Sequence, residues 1–342
     1  MHDRIISFTE AIREATLQLL ESDPQVVVLG EGVSYPNGAD GTTAGLKPLY
    51  PDRILDVPVS EHAVTGMAVG SAIAGMHPIV HHGRVEFALF AADQIFTQAG
   101  KWNYMFGGGN PVPVVFRIAV GRQWGNGPQH TQGLYGLFGS ALGVKVVVPS
   151  SPHMAKGLLV SAVQDPNPVV FLEPRWLYKT KQAVPDTMYA TPFKAQVAQG
   201  GTKLTVVAYG DGLHAAREAL AYLDGVSVEL IDVVCINPID YQTIEKSVAK
   251  TGRLICIDTT NKEFSVGSEV IAAMAKAGVL KEAPVHLTTP SVPCPTSPAL
   301  TESYYPTKVS IANAILTLFG KKPIAVQLSF EELHLAPNTL IK

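Results

Sequence analysis

Short runs of Val, Ile and Leu alternate with longer segments of helical apolar spacing along most of the chain. Val26–Gly30, Ile79–Val80, Val112–Ile118, Val144–Val148 and Val169–Leu172 read as strands buried on both faces. Ser7-Phe8-Thr9-Glu10 forms a capping box, behind which Phe8, Ala11, Ile12, Ala15 and Leu19 share one helical face until Pro24 stops it. Further helices are expected over His62–Met76, Phe90–Met105 and His153–Val163, with loops from Glu31 to Gly45 and around Trp124 to His130. Between Leu177 and Phe193 the sequence turns polar and proline-containing, as a linker would. The alternation then restarts. Strands at Leu204–Ala208, Ser227–Asp232, Leu254–Asp258 and Val285–Thr288 interleave with helices at Leu213–Leu223, Tyr241–Ala249, Val266–Ala277 and Lys308–Phe319. Such a pattern predicts parallel sheets covered by helices: an α/β chain of two doubly wound domains.

One residue stands out against this pattern. Glu61 ends the strand-like run Ile54–Ser60 and opens the helix HAVTGMAVGSAIAGM, which holds no Asp, Glu, Lys or Arg. A helix that is small and apolar all round is expected to be buried, with its N-terminus buried too. A carboxylate there must be paired, neutralised or used. The plainer alternative is a glutamate that only complements the helix dipole.

Composition narrows the classes. At 342 residues the chain exceeds one ordinary core, and 46% hydrophobic against 16% charged residues suits large subunit interfaces. The net charge of −3 gives no basic footprint for nucleic acid. Cys235, Cys256 and Cys294 are widely spaced and read as buried reduced thiols, not a disulfide or zinc set. The chain is expected to pass directly into its first helix without a basic-then-apolar leader, and no apolar run approaches the roughly 18 residues of a membrane span. A cytoplasmic protein is the expectation.

Gly210-Asp211-Gly212, followed after 24 residues by Asn237, has the spacing of a magnesium-diphosphate signature. A glycine turn leading into a helix, with Asn237-Pro238 capping the next one, explains the same residues more simply.

Several segments together resemble the beta subunit of the decarboxylating first component of 2-oxoacid dehydrogenase complexes, the pyruvate, branched-chain and acetoin dehydrogenase family. They include Leu29-Gly30-Glu31-Gly32-Val33, Arg53 to Glu61, Gly66 to Gly70, Asp93-Gln94-Ile95, Tyr104 to Gly108 and Pro111 to Arg117. Gln129-His130-Thr131-Gln132, Ala155 to Leu159, Asp165 to Val169, Glu173 to Tyr178, Ile236 to Asp240 and Val266 to Val270 continue the series, in consistent order from about residue 4 to 319. The resemblance implies a thiamine-diphosphate pyrimidine-binding domain over 1–185, a transketolase C-terminal domain over 186–319 and an extension over 320–342. It implies thiamine diphosphate at an interface with an alpha subunit, whose own chain binds the Mg2+ and the diphosphate, in an alpha2beta2 assembly. That placement also counts against a metal at Asp211.

By the same resemblance Glu61 bonds the aminopyrimidine N1′ and shares a proton with it, Phe87 packs against the ring, and Val59 is an apolar contact beside Glu61. His130 faces the reacting side and shuttles a proton. Main-chain carbonyls of Val114, Ala162, Val163, Asp165 and Asn167 match a structural potassium site of some members. Arg117 reads as structural. The expected reaction decarboxylates a 2-oxoacid and passes the acyl group to a lipoyl-bearing acyltransferase. His81-His82-Gly83-Arg84-Val85-Glu86 departs from the family's apolar sequence before Phe87. This keeps alive an alternative that acts on acetoin, another ketone or another acceptor. A non-catalytic scaffold is the third reading. The tail from Gly320 is expected to pack on a neighbour or to remain a surface appendage.

Overall fold

The computed structural model describes residues 4–122 and 126–341, so Trp124 and Gly125 of the expected Trp124–His130 loop lie outside the described residues. The chain divides into two compact units. The first takes the residues up to Val120, Ser140–Phe193 and those from Pro337; the second takes Gly121–Gly139 and Lys194–Ala336.

In the first unit the elements are β1 (Arg4–Ser7), α1 (Phe8–Ser22), β2 (Val26–Gly30), β3 (Ile54–Asp56), α2 (Glu61–Ile73), β4 (His77–His82), α3 (Val85–Ala88), α4 (Gly100–Met105) and β5 (Val115–Val120). After α5 (Tyr135–Gly139), which belongs to the second unit, come β6 (Lys145–Val147), α6 (Pro152–Gln164), β7 (Val169–Pro174) and β8 (Lys181–Val184). Strands run parallel in the order β6-β7-β5-β4-β2-β3. The expected capping box is present: Ser7 Oγ accepts from the Glu10 N–H at 3.2 Å, and the Glu10 carboxylate accepts from the Ser7 N–H at 2.7 Å. A strand precedes this helix, so the chain does not enter it directly. Between α3 and α4 the helix widens to a π-helical stretch over Asp93–Ala99.

The second unit adds β9 (Gln196–Gln199), β10 (Leu204–Ala208), α7 (Gly210–Ala219), β11 (Val228–Asp232), β12 (Cys235–Asn237), α8 (Tyr241–Thr251), β13 (Leu254–Ile257), α9 (Val266–Lys276), β14 (Val285–Leu287), α10 (Pro298–Thr301), α11 (Lys308–Leu318) and α12 (Phe330–His334). Its sheet has the order β14-β13-β10-β11-β9, parallel except for the edge strand β9. Leu204, Val206, Leu213, Leu230, Ile255, Ile311 and Ile315 build its core.

Three expectations are corrected, and one segment of the first expected domain packs elsewhere: Gly121–Gly139 lies with the second unit. Gly136 shows why: a Cβ there would lie 1.9 Å from the Phe264 carbonyl oxygen, so only glycine lets the two backbones meet. The polar stretch after Leu177 is not only linker, because Lys181–Val184 forms β8 and pairs antiparallel with β1. The tail packs on its own chain. Ser329 caps α12, Lys308 pairs with Glu332 at 2.5 Å, and the Ile341 N–H donates to the Lys181 carbonyl at 2.7 Å. Finally, α2 buries only Val64, Thr65, Ala68, Val69 and Ala72; His62, Ala63, Met67, Gly70 and Ile73 on its other face are exposed. A helix uniform in composition still has one face on the sheet; among the described residues its other face stays largely open, with Gln94 meeting His62 there at 3.0 Å.

Candidate active site

Parallel strands place their carboxyl ends on one edge of a sheet, where ligands of open α/β folds bind. The first unit has an open cavity of about 260 Å³ at that edge. Val57 and Pro58 follow β3, Gly30 ends β2 and Glu31 follows it, Val80 to His82 end β4 and Gly83 and Arg84 follow it, and Arg175 follows β7. Glu61, the first residue of α2, and Phe87 of α3 complete the lining with Val64. Gly30 allows the convergence: a Cβ there would sit 2.8 Å from the His81 carbonyl oxygen.

The carboxyls of this cavity influence one another. Partial burial, and then the Glu61 and Asp56 carboxylates, raise the pKa of Glu31. Asp56 is held in place, accepting from the Gly32 N–H at 2.8 Å and Ser34 Oγ at 3.0 Å. Glu61 itself is half-buried, and Ser60 before it supplies no side-chain cap. The orphan N–H groups of the first turn thus lie beside a carboxylate.

The opposite wall is basic and aromatic. Arg175 pairs with Asp40 at 2.7 Å, and burial followed by repulsion from Arg175 lowers the pKa of Arg84. Burial, then the Arg117 guanidinium, holds the His81 imidazole well below its usual range, and burial brings His82 to about 4, so both are neutral at pH 7. His82 Nε2 meets Thr65 Oγ1 at 3.2 Å. His81 Nδ1 and Arg175 Nε are buried without a hydrogen-bond partner among the described residues. A carboxyl at the rim, the Phe87 ring, apolar Val57, Pro58 and Val64, and an unsatisfied imidazole nitrogen together fit a flat heteroaromatic ring with hydrogen-bonding nitrogens on its edge.

Not every residue singled out from the sequence joins this cavity. Val59 is 78% exposed and outside its lining. His130 belongs to the second unit, half-buried in a turn where its N–H donates to the Gly127 carbonyl at 3.3 Å. Val114 precedes β5 and its carbonyl already accepts from the Val169 N–H at 2.9 Å. Ala162 and Val163 lie among the last carbonyls of α6, Asp165 is its C-cap, and Asn167 donates its N–H to the Asp165 carboxylate at 3.0 Å. Lys145 pairs with that same carboxylate. Arg117 is structural, fully buried and doubly bonded to Glu173 at 2.5 and 3.0 Å, with the Tyr178 hydroxyl donating to Glu173 as well. Gly210-Asp211-Gly212 forms the first turn of α7. Asp211 is buried there, 3.5 Å from Arg122 and accepting from Thr259 at 2.9 Å. Among the described residues no cluster of three His, Cys, Asp or Glu side chains could hold a metal.

Glu31, Asp40, His81, Arg84 and Arg175 were not singled out as site residues from sequence. Each directly follows or ends a strand, or sits in the loop after one; that shared position was the available signal.

Two parallel-sheet α/β units with a cavity at the sheet edge are the architecture of the transketolase class, to which the chain is assigned by its sequence. Residues 4–181 match the transketolase pyrimidine-binding domain and 193–311 the transketolase C-terminal domain. The acetoin:2,6-dichlorophenolindophenol oxidoreductase beta subunit of Cupriavidus necator is 39% identical over 91% of this chain and 96% of its own. The pyruvate dehydrogenase E1 component beta subunit of Acholeplasma laidlawii is 40% identical over 83% and 89%. A solved split-gene transketolase, an inactive beta4 tetramer, superposes with a TM-score of 0.75 at 21% identity over 91% and 98%, which shows the shared fold. The chain belongs to the thiamine-diphosphate-dependent family of dehydrogenase first-component beta subunits.

Proposed function

We propose that this chain is the beta subunit of a heteromeric enzyme that, with an alpha subunit, decarboxylates a 2-oxoacid and transfers the acyl group to a lipoyl acceptor. The observation that carries this reading is the half-buried Glu61 carboxyl at the α2 N-terminus, set in one cavity with Glu31 and the Phe87 ring. Thiamine diphosphate, when bound, supplies a thiazolium that accepts the electron pair released with carbon dioxide. Glu61 holds the pyrimidine N1′ by a shared proton. Glu31, whose pKa is raised by partial burial and by the Glu61 and Asp56 carboxylates, places a second carboxyl beside it. Phe87, Val57 and Val64 fix the ring plane and exclude water; His81 Nδ1 offers a further polar contact. His130 moves a proton to or from the substrate, and Val59 is covered on assembly. The Mg2+ and diphosphate belong to the alpha chain, and a potassium ion sits at the carbonyl end of α6. The protein is cytoplasmic, and no helix among the described residues is long and apolar enough to cross a membrane.

A second reading keeps the cofactor but takes acetoin or another ketone. It draws support from the polar His81–Arg84 segment in the cavity wall and from the acetoin-linked relative.

The test is Glu61→Gln in the complex with its alpha partner, assayed over a panel of 2-oxoacids and acetoin. The expected result is a loss of about 10²- to 10⁴-fold in turnover with assembly intact. Full activity in this variant overturns the role given to Glu61, and turnover of acetoin without any 2-oxoacid selects the second reading.

A further inference from the structure

A second cavity, of about 460 Å³, lies wholly within the second unit. It opens at the carboxyl ends of two adjacent parallel strands, where Thr259–Asn261 follow β13 and Thr289–Cys294 follow β14. Its other wall is the Pro128–Leu134 loop, in which Gln129 and Thr131 flank His130. Among the described residues no Asp, Glu, Lys, Arg or His lines it.

The hydrogen bonds already made inside the wall define what it can accept. Thr131 donates to the Gly127 carbonyl at 2.6 Å, Thr259 to Asp211 at 2.9 Å and Thr260 to the Asn261 side-chain oxygen at 3.2 Å. Ser291 donates to Glu263 at 2.7 Å, Tyr304 to the Val292 carbonyl at 2.7 Å and Tyr305 to Cys294 Sγ at 3.4 Å. These six hydroxyls have spent their protons and present lone pairs. An oxyanion would find the side-chain amides of Gln129 and Gln132 but no lining cation among the described residues, and an ammonium no lining carboxylate. A purely apolar ligand would leave the lone pairs unsolvated. The rings of Tyr304 and Tyr305, edge to face at 4.9 Å, together with Leu134, Val292 and the prolines, give flat apolar surface between the hydroxyls.

Uncharged walls rich in acceptors and aromatic faces suit a molecule with many O–H donors and a C–H face. We propose that this cavity binds a neutral polyhydroxylated compound of monosaccharide size, beside the loop that carries His130.

The test titrates the full chain, alone and with its alpha partner, with neutral hexoses, pentoses and myo-inositol, and with glucuronate and glucosamine beside glucose, by calorimetry and saturation-transfer NMR. At least one neutral polyol is expected to saturate, with the acid and amine forms weaker by about tenfold or more. Val292 lines the cavity and is 58% exposed, so Val292→Trp should block it without disturbing the core. That variant is expected to weaken binding by about tenfold or more at unchanged Tm, and Thr260→Val to weaken it less. Absence of binding by every neutral polyol, equal binding of the charged forms, or full binding by the Val292→Trp chain overturns the proposal. So does loss of binding once the alpha subunit is present.

Discussion

His82 shows how much one side chain of the cavity wall costs the fold in acid. Its imidazole is buried against Thr65, and burial lowers its pKa from 6.5 to about 4. The unfolded chain therefore binds a proton below about pH 6.5 that the native state refuses until about pH 4. Stability from this group is complete above pH 6.5 and is lost as pH falls toward 4, by about 3 kcal/mol in all. His214, also brought to about 4 chiefly by burial, adds to the same limb. In His82→Gln, the fall of Tm between pH 6.5 and 4 is expected to be shallower than in the parent chain. An identical slope in the two proteins refutes this assignment. The neighbouring His81 is neutral for the same reason, so the cavity offers imidazoles as hydrogen-bonding groups and not as cations at pH 7.

At the scale of single elements, the end of α6 makes a similar point about backbone groups. Its last turn presents the Ala162 and Val163 carbonyls, Asp165 follows as C-cap, and helix carbonyls there lack intrahelical donors. If a potassium ion uses them, replacing choline chloride by potassium chloride at constant ionic strength should raise Tm by about 2–4 °C, and sodium should do less. Equal Tm in the three salts removes the ion from the account. Elements of this kind were readable in advance. The capping box at Ser7, the five-residue strands Val26–Gly30 and Leu204–Ala208, and the helices from Tyr241, Val266 and Lys308 follow from local spacing alone. Glu61 and Phe87, which line the cavity, had drawn attention in the sequence, one as a charge opening a chargeless helix, the other through the family resemblance. Glu31 and Arg175 had not, and His81 and Arg84 stood out only as a departure from the family sequence before Phe87. They meet only because β2, β4 and β7 end at one edge of a sheet, and strand order is not a local property of sequence. The strand β8 was hidden for a different reason: Lys-Gln-Ala-Val has little apolar content, and its pairing with β1 is what makes it a strand.

Over the whole molecule, low charge and uncovered apolar surface point the same way. Only 16% of residues are charged, and α2 leaves Met67, at 58% exposure, and Ile73 uncovered. Phe90, Tyr104 and Met105 in the following helical segments are exposed as well, and all five belong to the first unit. Monomeric proteins seldom leave so many large apolar side chains open, whereas obligate interfaces are built from them. The same helix carries Glu61 at its first residue, so a partner seated on its outer face would also close the cavity and desolvate that carboxyl. On the proposed function, a partner on this face would couple assembly and catalysis through one helix. Met67→Glu places a charge in the middle of the uncovered face without touching Val64, Ala68 or Val69, which hold α2 to the sheet. Its effect on the stability of the isolated chain is expected to stay within about 0.5 kcal/mol, as for surface substitutions in general. Co-purification with the alpha subunit should fall by about tenfold or more, because a buried unpaired carboxylate costs several kcal/mol at an interface. Turnover should fall in proportion to the complex lost, while the complex that does form keeps a normal kcat. Normal assembly of the Met67→Glu chain, measured by light scattering and sedimentation, would show that the partner sits elsewhere and that α2 is free in the working enzyme.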